Sequence, residues 1–208
     1  ELVGADVHDV ASSMGKDGRI SEKFLHPGPG FGGSCFPKDL ESLSAISDEH
    51  GVQMDTLKAA ITANRKQKKQ MCNKLENLVT TGIKGKEIAV LGLSFKANTD
   101  DVRESSSIDI INFILSKGGY VRAYDPIAND SMYTLFPNIS YFKNVYEAVD
   151  KAEALIVMTE WNEFRSLDLK RIRNIMSGKF ILDTRNIMNM KELSSLGFVY
   201  DNIGRLQI

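Results

Sequence analysis

Lys86-Glu87-Ile88-Ala89-Val90-Leu91 is where this 208-residue chain changes texture, and that change decides the fold. Upstream, apolar residues recur every three or four positions; from here on they come in short runs. Ile88–Leu91, Tyr120–Tyr124, Ala154–Met158, Phe180–Leu182 and Phe198–Tyr200 read as strands, with a weaker one at Ile139–Tyr141. Helical spacing lies between them, near Ser107–Ser116, Val145–Ala152, Leu167–Met176 and Lys191–Leu196. Apolar strands alternating with helices imply a parallel sheet covered on both faces. The expected class is α/β, a doubly wound, Rossmann-like sheet.

Toward the N-terminus the pattern is helical. Leu2, Val3, Val7, Val10, Ala11 and Met14 share one spacing, and Leu40, Leu43, Ile46, then Leu57, Ala60 and Ile61 repeat it. A long helix is expected from about Asp55 to Val79, ending near Gly82. Its stretch Arg65-Lys66-Gln67-Lys68-Lys69 reads as a solvated face. The chain therefore divides into a helical segment, 1–82, and an α/β domain, 83–208. Glu1-Leu2-Val3-Gly4-Ala5-Asp6 shows neither an initiator Met nor a secretory leader and reads as helix interior, so the chain is expected to be a piece of something longer.

Composition narrows the partners. Lys and Arg number 26 against 27 Asp and Glu, a net charge of −1, which argues against a broad phosphate-neutralising surface and hence against a nucleic-acid partner. No apolar run approaches the ~18 residues of a membrane helix, so no membrane partner is expected. Cys35 and Cys72 stand alone, without C-x-x-C spacing or a histidine at ligand spacing. Neither a disulfide framework nor a zinc site follows, and a reducing, cytoplasmic compartment is expected. His8, His26 and His50 are scattered singly and read as surface or locally bonded residues.

The chemistry concentrates in His26-Pro27-Gly28-Pro29-Gly30-Phe31-Gly32-Gly33-Ser34-Cys35-Phe36-Pro37-Lys38-Asp39. Gly28, Gly30 and Gly33 match G-x-G-x-x-G, yet the fingerprint has meaning only after a buried strand, and Glu22–Pro27 is too short and too proline-bound to be one. What the loop offers is backbone free of Cβ atoms, able to approach a ligand closely. Pro37 marks a helix start and sets Cys35 just outside its N-terminus, where unpaired N–H groups and the helix dipole favour a thiolate. Lys38 and Asp39 follow within one turn. A thiol, a cation and a carboxylate this close form a nucleophile constellation, whereas Cys72, between Met71 and Leu75, reads as core.

Gly30-Phe31-Gly32-Gly33-Ser34-Cys35-Phe36-Pro37-Lys38-Asp39 resembles the cysteine loop of the UDP-glucose/GDP-mannose dehydrogenase family of nucleotide-sugar dehydrogenases. Further blocks agree in order: Gly18-Arg19-Ile20, Gly92-Leu93-Ser94-Phe95-Lys96 with Arg103-Glu104-Ser105, Tyr124-Asp125-Pro126, Thr159-Glu160-Trp161 and Asp183-Thr184-Arg185-Asn186. Several fall just after strands, the edge where an open parallel sheet takes its ligand. Lys96 and Arg185 are placed there to meet a diphosphate, and Ser105–Ser107 to cap the next helix.

The resemblance implies a two-step, NAD-dependent oxidation of a primary alcohol to a carboxylate through a thiohemiacetal and a thioester. It assigns Cys35 as nucleophile and Asp39 as the carboxylate serving a water. Phe24, Leu25, His26, Pro27, Gly28, Gly32, Phe95, Lys96 and Arg185 would contact the UDP-sugar, His26 through backbone alone. Lys38 and Arg103 would face NAD, and Arg19 would reach the substrate of a neighbouring subunit in a homodimer built on the helical segment. Phe36 and the Gly-Phe-Gly-Gly run favour UDP-glucose. UDP-N-acetylmannosamine, GDP-mannose or a non-catalytic nucleotide-sugar-binding relative remain alternatives. The family's dinucleotide domain is not in this sequence, so NAD would be bound mainly elsewhere and the chain alone is expected to be inactive.

Overall fold

Alternating side chains explain the sheet. In the computed structural model, which describes residues 1–205, β1 (Glu87–Leu91) sends Ile88 and Val90 to one face and Ala89 and Leu91 to the other, all fully buried. β2 (Tyr120–Tyr124), β3 (Ser140–Tyr141), β4 (Ala154–Val157), β5 (Phe180–Asp183) and β6 (Val199–Asn202) complete a six-stranded sheet in the order β3-β2-β1-β4-β5-β6. Every pairing is parallel, with Val90 facing Ala123 on one side and Ile156 on the other. The chain starts in the middle, winds outward, then returns to wind the other way. The order reverses between β1 and β4, so a ligand crevice is expected outside their carboxyl ends.

α1 (Val7–Gly15), α2 (Phe36–Glu49) and α3 (Asp55–Leu78) precede the sheet; α4 (Ser106–Ser116), α5 (Asn129–Tyr133), α6 (Val145–Val149), α7 (Asn162–Arg165), α8 (Leu169–Ile175) and α9 (Met190–Ser195) connect its strands. One face of the sheet packs on α3 and α4 through Met71, Leu75, Leu78, Ile110, Ile111 and Ile114. The other takes Val149, Phe164, Ile172 and Leu193. Leu75 is fully buried in this layer, and its truncation to Ala would cost about 2–5 kcal/mol. The second half of the long helix is therefore part of the α/β core.

Two expectations change. Helical periodicity at Leu2 and Val3 does not make a helix: Gly4 takes a positive φ of 72°, Asp6 caps α1 by accepting from the His8 N–H, and Leu2 and Val3 stand in solvent. A cap residue beats an apolar pattern that finds nothing to pack against. The stretch 65–69 is not uniformly solvated either. Lys68 is only 11% exposed and donates to the Glu104 carbonyl. The last three positions of the 83–208 span lie outside the described residues.

Candidate functional site

Each element brings one piece to the carboxyl rim. The residues before the glycine loop form a 3-10 turn, Glu22–Phe24, so no strand precedes it and the dinucleotide match at Gly28–Gly33 has no fold around it. The loop instead lies against the loops after β1 and before α4. A Cβ on Gly32 would stand 2.2 Å from the Glu104 carbonyl oxygen, and one on Gly33, whose φ is +93°, would stand 2.9 Å from the Phe95 ring. The Gly33 N–H donates to the Arg103 carbonyl at 2.8 Å. Only a chain without side chains fits this seam.

Cys35 occupies the N-cap position of α2 and is exposed. Its Sγ lies 3.6 Å from the Ser34 hydroxyl. Lys38 pairs with Asp39 at 2.8 Å, and Arg103 pairs with Asp101 at 2.8 Å. The Asp39 bond raises the Lys38 pKa and the Asp101 bond raises that of Arg103; proximity to Cys35 adds to both. Lys38 and Arg103 border an open groove of about 630 Å³, walled also by Ser34, Glu41, Ile108 and Leu135. Cys72, by contrast, is buried against the Asp109 carbonyl.

The second cluster lies beyond β4 and β5. Arg185, its side chain only 17% exposed, donates through Nε to the Met158 carbonyl at 2.8 Å and through Nη2 to the Phe95 carbonyl at 3.2 Å. Its Nη1 stands 3.1 Å from Glu160 Oε2 as an ion pair, and among the described residues that buried oxygen accepts no hydrogen bond. Burial works against the Arg185 charge, while Glu160 and then Asp183 favour it. A cavity of about 460 Å³ opens over this pair, lined by His8, His26, Pro27, Glu160, Arg185 and Asn186. Nη1 of Arg185 also lies 3.2 Å from where a Gly28 Cβ would be.

The structure thus gathers His26, Pro27 and Arg185 at one cavity, with Gly28 against the Arg185 guanidinium, and Lys38 and Arg103 at one groove, with Gly32 and Phe95 along the seam. It does not bring Lys96 to Arg185: Lys96 is exposed, its ammonium 5.4 Å over the Phe95 ring. Arg19 is bound to Asp17 in solvent, and Phe24 is 93% exposed. Leu25 lines a smaller hollow with His8, Glu22 and His26.

Several contacts to the glycine loop escaped the sequence reading. Asn64 accepts from the Phe31 N–H at 2.8 Å and donates to the Phe31 carbonyl at 3.1 Å. Gln67 donates to the Gly28 carbonyl at 2.9 Å, and the Ser106 hydroxyl reaches the Pro29 carbonyl at 3.3 Å. Their one signal was amide and hydroxyl side chains at helical spacing. Asp125 and Trp161, quoted above as family blocks, are scaffold: the buried Asp125 carboxylate accepts from Leu93 and Ser94 N–H groups, the Ser94 hydroxyl and the Trp161 indole.

A doubly wound parallel sheet presenting a half-buried arginine and a cysteine-bearing glycine turn at its carboxyl rim defines an α/β chain whose candidate site lies at that edge. Residues 1–66 match the central domain of the UDP-glucose/GDP-mannose dehydrogenase family, and residues 89–190 match its UDP binding domain. The chain belongs to this family. It is 41% identical over 206 residues to a UDP-glucose 6-dehydrogenase of Rickettsia bellii, covering 98% of this chain and 48% of that protein. It is 42% identical over 205 residues to the enzyme of that name from Rhizobium meliloti, covering 99% and 47%. Among solved structures, a UDP-glucose dehydrogenase from Pyrobaculum islandicum superposes with a TM-score of 0.84 at 28% identity, over 99% of this chain and 45% of that one. The chain spans about half the length of the curated relatives it matches.

Proposed function

We propose that this chain carries the substrate-binding and nucleophile-bearing part of an NAD-dependent UDP-glucose 6-dehydrogenase, working as a cytoplasmic homodimer. The observation that carries the reading is Cys35 exposed at the start of α2, close enough to Lys38 and Arg103 to favour their charge, on a glycine loop seated against the carboxyl rim. Two relatives that are 41% and 42% identical bear that name. UDP would enter the cavity over Arg185, whose planar guanidinium suits a diphosphate and is already oriented by two carbonyls. Lys96, exposed on the loop after β1 with its ammonium over the Phe95 ring, would have to swing away from that ring to add a second cation.

Cys35 would act on the aldehyde formed from the sugar's primary alcohol. Its Sγ forms a bond to the aldehyde carbon, giving a thiohemiacetal whose C–H is the one oxidised second. The resulting thioester is cleaved by water, which breaks the C–S bond, releases the carboxylate and returns the thiol. Asp39, one helical turn after Cys35 and paired with Lys38, would orient or deprotonate that water. NAD, when bound, supplies the hydride acceptor for both oxidations.

The residues fit one edge of that cofactor. Lys38 and Arg103 face the same groove as exposed cations, and Ile108 and Leu135 give it an apolar wall. Neither glycine turn completes a dinucleotide cradle: one follows a 3-10 turn, and Gly92 is packed against Thr159, 2.6 Å from its backbone nitrogen at the Cβ position. Apolar residues support the dimer. Val10 and Met14 on α1, and Phe36, Leu43 and Ile46 on α2, are exposed, and neither helix buries an apolar side chain.

In the full-length enzyme, Cys35→Ser should abolish acid formation; unchanged NADH production would eliminate the nucleophile. Titrating UDP-glucose, UDP-N-acetylmannosamine and GDP-mannose against this chain ranks the substrates, with UDP-glucose expected tightest. UDP-glucose and NAD added to this chain alone should give no steady NADH signal.

A further inference from the structure

We infer that Asn64 and Gln67 are positioning residues that divide the glycine loop into a reacting half and a binding half. The inference rests on the reading of Cys35 and Arg185 given above.

The two side chains stand one turn apart on α3 and grip opposite ends of the loop. Asn64 closes two hydrogen bonds on one residue, accepting from the Phe31 N–H at 2.8 Å and donating to its carbonyl at 3.1 Å. This is the pairing a neighbouring strand would supply, delivered by a single amide, and it fixes both the place and the rotation of residue 31. The Phe31 ring in turn packs edge-on against Phe36 at 4.7 Å, the residue directly after Cys35. Asn64 therefore reaches the sulfur through Phe31 and Phe36. Nothing larger than Gly30 fits beneath: its φ is +120°, and a Cβ there would stand 2.8 Å from Asn64 Oδ1.

Gln67 grips the other end. Its Nε2 donates to the Gly28 carbonyl at 2.9 Å, and Gly28 abuts Arg185 Nη1 over the cavity assigned to UDP. Between the two grips, the Ser106 hydroxyl holds the Pro29 and Gly30 carbonyls at 3.3 and 3.4 Å. A loop pinned at its middle transmits little from one end to the other. Loosening Phe31 should misplace the thiol while leaving the diphosphate edge intact; loosening Gly28 should do the reverse.

Steady-state kinetics of the full-length enzyme test this. Asn64→Ala should lower kcat for acid formation at least about tenfold with KM for the UDP-sugar changed less than about twofold. Asn64→Asp, which keeps the acceptor for the Phe31 N–H, should recover part of kcat. Gln67→Ala should raise KM about fivefold or more and leave kcat within about twofold. Should both alanine variants move the same parameter, or neither move any, in an enzyme that Cys35→Ser still silences, the division is overturned. Full turnover by Cys35→Ser overturns the underlying reading instead. If Asn64→Ala does not fold, amide exchange in Asn64→Asp decides: the Phe31 N–H should stay protected while Gly33, downstream of the lost donor bond, exchanges about tenfold faster, and unchanged exchange at Gly33 refutes the clasp.

Discussion

Trp161 donates its indole N–H to the Asp125 carboxylate across 3.1 Å and so ties the loop after β4 to the loop after β2. The same Oδ2 accepts from the Leu93 and Ser94 N–H groups, and Oδ1 from those of Ile127 and Ala128. One buried anion thus organises three loops at the rim where Arg185 and the glycine loop meet. Asp125→Ala, which strands these donors, is expected to destabilise the chain by about 3–5 kcal/mol in urea unfolding. A loss below about 1 kcal/mol would show that the rim stands without it.

The two cysteines differ in access. Iodoacetamide at about pH 8 is expected to modify Cys35 alone in the folded chain and both residues in denaturant, read by peptide mass spectrometry. Burial, helped by Asp109, pushes the Cys72 thiol up to about 11 from an ordinary 9.0. Because its folded value is raised, its contribution to stability is complete below about pH 9 and is lost as pH rises through about 11. Cys72→Ala should flatten that alkaline decline. Native labelling of Cys72 contradicts the packing.

Gly32 and Gly28 should tolerate alanine unequally. A Cβ at Gly32 meets the Glu104 carbonyl at 2.2 Å, where backbone must shift; at Gly28 it meets a guanidinium tip at 3.2 Å. Gly32→Ala is expected to cost about 1–3 kcal/mol in thermal unfolding, with Gly28→Ala costing less. The opposite ranking would mean that the seam between loop and sheet is drawn wrongly.

Arg185→Lys keeps the charge and loses the planar fork that binds two carbonyls at once. UDP affinity of the chain should fall at least about tenfold, ~1.4 kcal/mol, by isothermal titration. Equal affinity would move the diphosphate away from this residue.

Asp101 accepts from Arg103 through both carboxylate oxygens, at 2.9 and 2.8 Å, and this bond holds its pKa below the ordinary 3.8. A lowered folded value means that its stabilisation is present above about pH 4 and is lost as pH falls further. Asp101→Asn should therefore show a shallower loss of thermal midpoint between about pH 5 and pH 3 than the parent chain. Identical acid slopes would leave the pair without thermodynamic weight.

Much of the sheet was legible because buried parallel strands write themselves as apolar runs. Ile88–Leu91 and Ala154–Met158 fall on β1 and β4 within a residue at either end. Two short helices were not legible. Asn129–Tyr133 and Asn162–Arg165 complete barely a turn, too little for a period to show. Leu2 and Val3 failed for the opposite reason, since a period in sequence has no force where nothing packs against it.

The sequence by itself determined the doubly wound α/β class, the glycine loop and the cysteine at the head of a helix, because strand runs, missing Cβ atoms and a proline at a helix start are local properties. Only the tertiary structure decided which residues meet. Asn64 and Gln67 reach the loop from a helix over thirty positions away, and Arg185 faces Gly28 from the opposite end of the chain. Asp125 and Trp161 prove to be scaffold under the site. Hydrogen bonds and burial depend on three-dimensional neighbours, and the packing of α3 and the glycine loop on the sheet's rim is what supplies them.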